Sequence, residues 1–193
     1  MIAHDPSRSK KADILNVLTQ MLAVPRMARV TTANLARELN QSEAALYRHF
    51  SSKAQMFESL IGLVRHQLQE DLEHIEHTEP DGRLRLRKQA HALLLFAERH
   101  QGLARVLTGE ALAHEDASLL IHLTELHAEL RHALHQNIVL ATSQGTLTDR
   151  PDSNVRTDVL MDWLLGRWLR YSQSGWIMPP TESHTLALDC LGL

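Results

Sequence analysis

Apolar residues recur every three or four positions through most of the chain, the period of helices that bury one face. Ile14, Leu15, Leu18, Met21 and Leu22 form such a stripe over residues 7–23, and Pro25 stops it. Leu35 and Leu39 lie four apart on a second short helix and Leu46 and Phe50 four apart on a third. From Ser52 the run Met56, Phe57, Leu60, Ile61, Leu63, Val64, Leu68, Leu72, Ile75 continues for about six turns and ends near Thr78-Glu79-Pro80-Asp81-Gly82. Further helices are predicted over 84–100, in a short segment bracketed by Gly102 and Gly109, and over 118–140, 155–174 and 181–191. A loop covers 145–153, where Gly, Pro, Asp and Thr cluster, and Pro179-Pro180 breaks the chain before the last helix. The pattern predicts an all-α protein with an N-terminal unit, residues 1–53. A long helix, 53–78, joins it to a helical body, residues 54–193.

Between the second and third helices stands Asn40-Gln41-Ser42. Asn tolerates the left-handed conformation that ends a helix, and Ser42 can accept a hydrogen bond from the first free amides of the next. Two short helices joined by such a turn spell a helix-turn-helix. On its second helix Glu43, Ala44, Tyr47 and Arg48 fall opposite Leu46 and Phe50, with His49 at the edge, a face that fits the major groove. Ala44 is small enough to let the backbone approach a base edge or a thymine methyl. Arg48 can reach a phosphate or guanine, and the Tyr47 hydroxyl is a phosphate donor. Thr31 and Thr32 open the first helix, where free amides and hydroxyls make an anion site. Ser52 begins the long helix with Gln55 as a capping box, and Lys53 at its first position places a cation beside the DNA backbone. Arg29 adds another.

Composition sharpens the picture. The formal net charge is −3, yet residues 1–53 carry eight Lys and Arg against four Asp and Glu, while the remaining 140 carry twelve against nineteen. A basic end on an acidic body attracts phosphate to one end only. At 193 residues with 44% hydrophobic content the chain can build a core. Its single cysteine, Cys190, excludes an intramolecular disulfide framework and suits a reducing compartment. No apolar run approaches the roughly 18 residues needed to span a bilayer, and the start MIAHDPSRSKK lacks the apolar core of a signal peptide. A cytoplasmic protein without a membrane partner is expected.

Thirteen histidines are the odd feature. His74 and His77, and His132 and His135, stand three apart, a spacing that can chelate a divalent cation on a helix. They sit on acidic, solvated stretches with no cysteine close by, so no metal is expected. The chain shows no Gly-rich phosphate loop, no nucleophile motif and no paired carboxylates in an apolar run, so no enzyme and no cofactor are expected.

The run Thr32, Leu35-Ala36, Leu39, Ser42, Ala44, Leu46-Tyr47-Arg48-His49-Phe50, Ser52-Lys53 resembles the signature of TetR-type regulators, a large family of all-helical homodimers with an N-terminal DNA-binding domain. Asn40 and Gln41 depart from it, standing where the family has glycine and a small aliphatic residue. With Met56-Phe57, Ser59-Leu60-Ile61, Arg83-Leu84-Arg85-Leu86, Glu98-Arg99, Gly102-Leu103, Leu107-Thr108-Gly109 and Ala111-Leu112, the resemblance extends to one branch, the nucleoid occlusion factors (SlmA). That branch implies a dimer on sites scattered over the chromosome, nucleoid-associated, which engages the tubulin-like division protein FtsZ and keeps septa off the nucleoid. It also implies a partner surface on the fourth and fifth helices. Arg99 matches a functional position of that surface; Leu63, Asp71, Ala92, Leu95 and His100 occupy neighbouring positions with different residue types. The family implies a lever as well, in which the long helix swings the reading head.

A dimer is expected on physical grounds too, because one such module contacts too little DNA for tight specific binding. The final two helices are predicted to form the interface, with Trp163 and Trp168 as anchors and Gly166 permitting close approach. The alternative function is a transcriptional repressor released by a small-molecule effector. Aromatics make up only 4% of the chain, and no polar constellation on an apolar face marks an effector pocket.

Overall fold

Six helices begin where a side chain takes up their first free amides. In the computed structural model, which describes residues 9–25 and 29–193, Ser9, Thr31, Ser42, Ser52, Asp81 and Asp152 each accept a backbone N–H from two or three residues ahead. The capped helices are α1 (Lys10–Ala23), α2 (Thr32–Glu38), α3 (Glu43–Leu46), α4 (Lys53–Thr78), α5 (Gly82–Arg99) and α8 (Ser153–Gln173). Between α5 and α8 lie α6 (Gln101–Leu107), a 3-10 turn (Glu110–Leu112) and α7 (Ser118–Ser143), and α9 (His184–Cys190) follows. No strand occurs among the described residues, so the all-α expectation holds.

Several boundaries differ from the sequence pattern for local reasons. Residues 7 and 8 of the first predicted helix lie outside the described residues. α1 stops at Ala23 because Val24, the residue before Pro25, is pushed into extended backbone. α5 starts at Gly82 because the Asp81 side chain caps it, accepting from Leu84 N at 2.8 Å. Gly102 does not bracket α6 but lies within it, since its missing side chain is what lets α6 cross α1. A Cβ there would stand 2.0 Å from the Thr19 carbonyl oxygen. α9 is shorter than expected at its start, where Ser183 takes a left-handed φ of 53°. In the α4 stripe, Leu63 is exposed while Met56, Phe57, Leu60, Ile61, Val64, Leu68 and Leu72 are buried.

The core runs without a break from α1 to α9. α5 is its axis, packed against α4, α6, α7, α8 and α9, while α1 lies across α6. Gly82 sets the α5–α7 approach: a Cβ would meet the Ala141 backbone nitrogen at 2.5 Å. Two amides are buried among these helices, Gln89 and Asn137, and they satisfy each other, with Asn137 Nδ2 donating to Gln89 Oε1 at 2.6 Å. α4 spans 26 residues, about 39 Å of helix. Its first turns and its last turns therefore sit in different neighbourhoods of the molecule.

Candidate nucleic-acid interface

The turn between α2 and α3 has the geometry its residues dictate. Asn40 takes φ 52°, the conformation that a glycine would adopt more freely. Gln41 N donates to Ala36 O at 2.9 Å and Asn40 N to Arg37 O at 3.0 Å, the paired bonds of a Schellman helix ending. Ser42 then caps α3, accepting from Ala45 N at 3.2 Å. Thr31 caps α2, accepting from Asn34 N at 3.1 Å, and the Thr32 hydroxyl donates to Glu43 Oε2 at 2.6 Å. Thr32 and Glu43 thus clamp the start of α2 to the start of α3, a contact that sequence spacing alone does not reveal.

Leu46 and Phe50 are buried and hold the unit to the core, as expected. Glu43, Ala44, Tyr47 and Arg48 are exposed on the other side, with Tyr47 46% accessible, and His49 is half-buried at the edge. Regular α3 is only four residues long, but Phe50 N still bonds Leu46 O, so Tyr47 and Arg48 continue its helical course. Lys11 lies 5.5 Å from the Phe50 ring centre, and Arg37 is exposed and bonded to Asn34 at 2.9 Å. Both are cations near the reading unit that motif reasoning passed over.

Two expectations change. Gln55 does not close a capping box on Ser52; its Oε1 accepts instead from Ser51 N at 2.7 Å, one residue earlier. Lys53 does not project freely. Its ammonium donates to the Val30 carbonyl and to Glu115 Oε1 at 2.5 Å, and its side chain is 17% exposed. Arg29 reaches the same Glu115 oxygen at 3.4 Å. No sequence signal marks Glu115, which is 62 residues beyond Lys53.

A groove of about 610 Å³ lies between α4 and α5, lined by Asp71 and His74 on one side and Ala92, Leu95 and Arg99 on the other. Arg99 is exposed in it. His91, also in this groove, stacks on His184 with Nδ1 3.0 Å from Nε2. Burial and the nearby His184 lower the His91 pKa, and burial and Arg99 lower that of His100. Among the described residues no three His, Cys, Asp or Glu side chains come together in a metal-binding set.

Of the predicted interface anchors, Trp168 is corrected. It is fully buried and its indole N–H donates to the Leu93 carbonyl at 3.1 Å, so it fills the protomer core and presents nothing to a second copy. Trp163 is half-buried beneath the Arg167 guanidinium, and Gly166 is exposed with open space where a Cβ would stand. The exposed apolar residues Val155 and Val159 share α8 with them, and Leu120 and Val139 stand exposed on α7. The two helices are tied by Arg131 Nε to Asp158 Oδ1 at 2.6 Å and by a His135–Thr157 contact at 3.1 Å. α9, by contrast, is docked on α5.

Comparison with known proteins agrees with this geometry. Residues 20–60 match the family model of bacterial regulatory proteins, tetR family, and residues 81–191 match the SlmA-like model, described as a tetracyclin repressor-like C-terminal domain. The chain is 36% identical over 174 residues to the nucleoid occlusion factor SlmA of Marinobacter nauticus, covering 90% of this chain and 89% of that protein. It is 36% identical over 180 residues to the SlmA of a Shewanella species, strain W3-18-1, covering 93% and 91%. The fold is similar to that of the ketosteroid transcriptional regulator KstR2 of Mycobacterium tuberculosis, with a TM-score of 0.77 at 17% identity over 100% of this chain and 97% of that one. It is also similar to the TetR family regulator PfmR of Thermus thermophilus, with a TM-score of 0.77 at 19% identity over 92% and 96%.

Proposed function

The chain belongs to the TetR family of bacterial regulatory proteins, in its SlmA branch, and from that premise we propose that it is a nucleoid occlusion factor that binds chromosomal DNA as a homodimer and restrains FtsZ-dependent septum formation. The observation that carries the DNA reading is the exposed face of Glu43, Ala44, Tyr47 and Arg48 on a helix clamped through Thr32. α3 enters the major groove with Ala44 at the base edges. Arg48 reaches guanine or phosphate, while the Tyr47 hydroxyl and the free backbone amides at the Thr31–Thr32 end of α2 donate to phosphate oxygens. Such contacts fix register on the duplex, and a second copy supplies the other half-site.

The exposed positions Val155, Val159 and Gly166 of α8, at helical spacing with half-buried Trp163, support the dimer. Residue types are right for a two-fold helical interface: apolar, flanked by charge and open at a glycine. FtsZ is assigned to the groove between α4 and α5. Its floor of Ala92, Leu95 and Phe96 is apolar, and Arg99 makes no ion pair among the described residues, so the groove suits an apolar segment that carries a carboxylate. The relatives that share most of the chain's length bear the nucleoid occlusion name, which favours this reading over an effector-released repressor.

Selection from a random duplex pool by the full chain tests the DNA half of the proposal. A two-fold symmetric site bound by two or more chains is the expected product; a pool with no enriched sequence contradicts it. Arg99→Ala tests the partner half and is expected to lower FtsZ binding while leaving DNA affinity intact. Equal losses of both would make Arg99 structural.

A further inference from the structure

Two cations assigned to the DNA backbone, Arg29 and Lys53, converge on one carboxylate from the body of the protein. Glu115 follows the 3-10 turn and precedes α7, and its side chain is only 6% exposed. Lys53 Nζ lies 2.5 Å from Glu115 Oε1 and also donates to the Val30 carbonyl. Arg29 Nε lies 3.4 Å from the same oxygen and its side chain is 55% exposed. We propose that Glu115 stands in for a DNA phosphate in the free protein, holding Arg29 and Lys53 against the body so that the duplex must displace it, and that Glu115 thereby limits DNA affinity. The inference rests on the assignment of Arg29 and Lys53 to the DNA backbone made above.

The physics favours competition over a passive ion pair. A carboxylate and a phosphate oxygen offer an ammonium or guanidinium the same kind of acceptor, so one cation cannot serve both at full strength. Glu115 is shielded from water, so its attraction to Lys53 is weakly screened and the competition costs the duplex part of its binding energy. A shielded carboxylate that loses Lys53 must find another cation or move. Beside it lies a cavity of about 230 Å³ that Arg29 and Arg105 also line, and Arg105 Nε is buried there without a hydrogen-bond acceptor. The carboxylate therefore has room and a second cation in the same cavity. Because Glu115 belongs to the segment between α6 and α7, its release on DNA would pass from the reading unit into the body.

The test is a double-mutant cycle on the full chain, read as affinity for random-sequence duplex at fixed salt. Glu115→Gln is expected to tighten binding about tenfold, because the amide no longer holds the two cations. Lys53→Gln should cost about threefold in the native background and tenfold or more in the Glu115→Gln background, where Lys53 is available to phosphate. Weaker binding by a folded Glu115→Gln protein, or equal costs of Lys53→Gln in both backgrounds, overturns the proposal; the first outcome would mean that Glu115 positions the cations for DNA. If circular dichroism shows that Glu115→Gln does not fold, Glu115→Asp takes its place, with a smaller gain expected and no gain overturning the idea. Failure of the native protein to bind duplex at all would instead overturn the DNA reading beneath it.

Discussion

The Thr32 hydroxyl donates to Glu43 Oε2 at 2.6 Å, joining the first turn of α2 to the first residue of α3. The bond joins α3 to α2 and keeps one carboxylate oriented on the exposed face of Ala44, Tyr47 and Arg48. Thr32→Val keeps the shape and removes the donor. The melting temperature is expected to fall slightly, by the modest worth of one exposed intramolecular hydrogen bond, and DNA affinity to fall several-fold as the presentation of α3 loosens. A melting curve checks the first expectation and a fluorescence-anisotropy titration the second.

Tyr47 and Ala44 stand on the same exposed face but do different work. Tyr47→Phe deletes the proposed phosphate donor and should weaken selected and unrelated duplexes alike, by about tenfold. Ala44→Leu fills the space against the base edges and should change which sequences a random pool yields. A Tyr47→Phe protein that lost affinity for one sequence only would place the hydroxyl at a base.

Trp168 and Val159 share a helix and separate stability from assembly. Trp168→Phe removes the indole donor to the Leu93 carbonyl, which keeps its bond within α5, and leaves a void, so the melting temperature should fall, with a cost of about 2 kcal/mol. Val159→Asp places a charge on an exposed apolar position and should raise the dimer dissociation constant at least tenfold without lowering secondary structure. Sedimentation velocity read beside circular dichroism distinguishes the two outcomes.

His127 donates a ring N–H to the Leu107 carbonyl at 2.9 Å, and burial lowers its pKa below the ordinary value of 6.5. The unfolded chain therefore takes up a proton at this site at a higher pH than the folded one. Its contribution to stability is complete above about pH 6.5 and is lost as the pH falls through that value towards the lowered folded pKa. His127→Gln should flatten that part of the pH–stability profile, measured as denaturation midpoints from pH 7.5 to 5.5.

What could be read from the chain was whatever depends on local spacing. The stripes of α4 and α5, the Asn40 turn and the Ser42 and Thr31 caps all follow from neighbours within a few residues, and the exposed face at Tyr47 follows from helical period. Contacts between distant segments were hidden. Nothing near Lys53 announces that Glu115 will take its ammonium, and nothing near Trp168 shows that its indole will find Leu93 and leave Trp163 nearer the surface. Gly102 looked like a helix boundary because its use, a close crossing with Thr19, lies on another helix.

Sedimentation of FtsZ polymers with this protein, with and without the duplex that it selects, decides whether it acts on the division machinery. The protein is expected to enter the polymer pellet in a DNA-dependent manner, and Arg99→Ala to stay in the supernatant. A protein that selects a symmetric duplex yet never pellets with FtsZ, with or without it, would contradict the division reading and leave a transcriptional repressor.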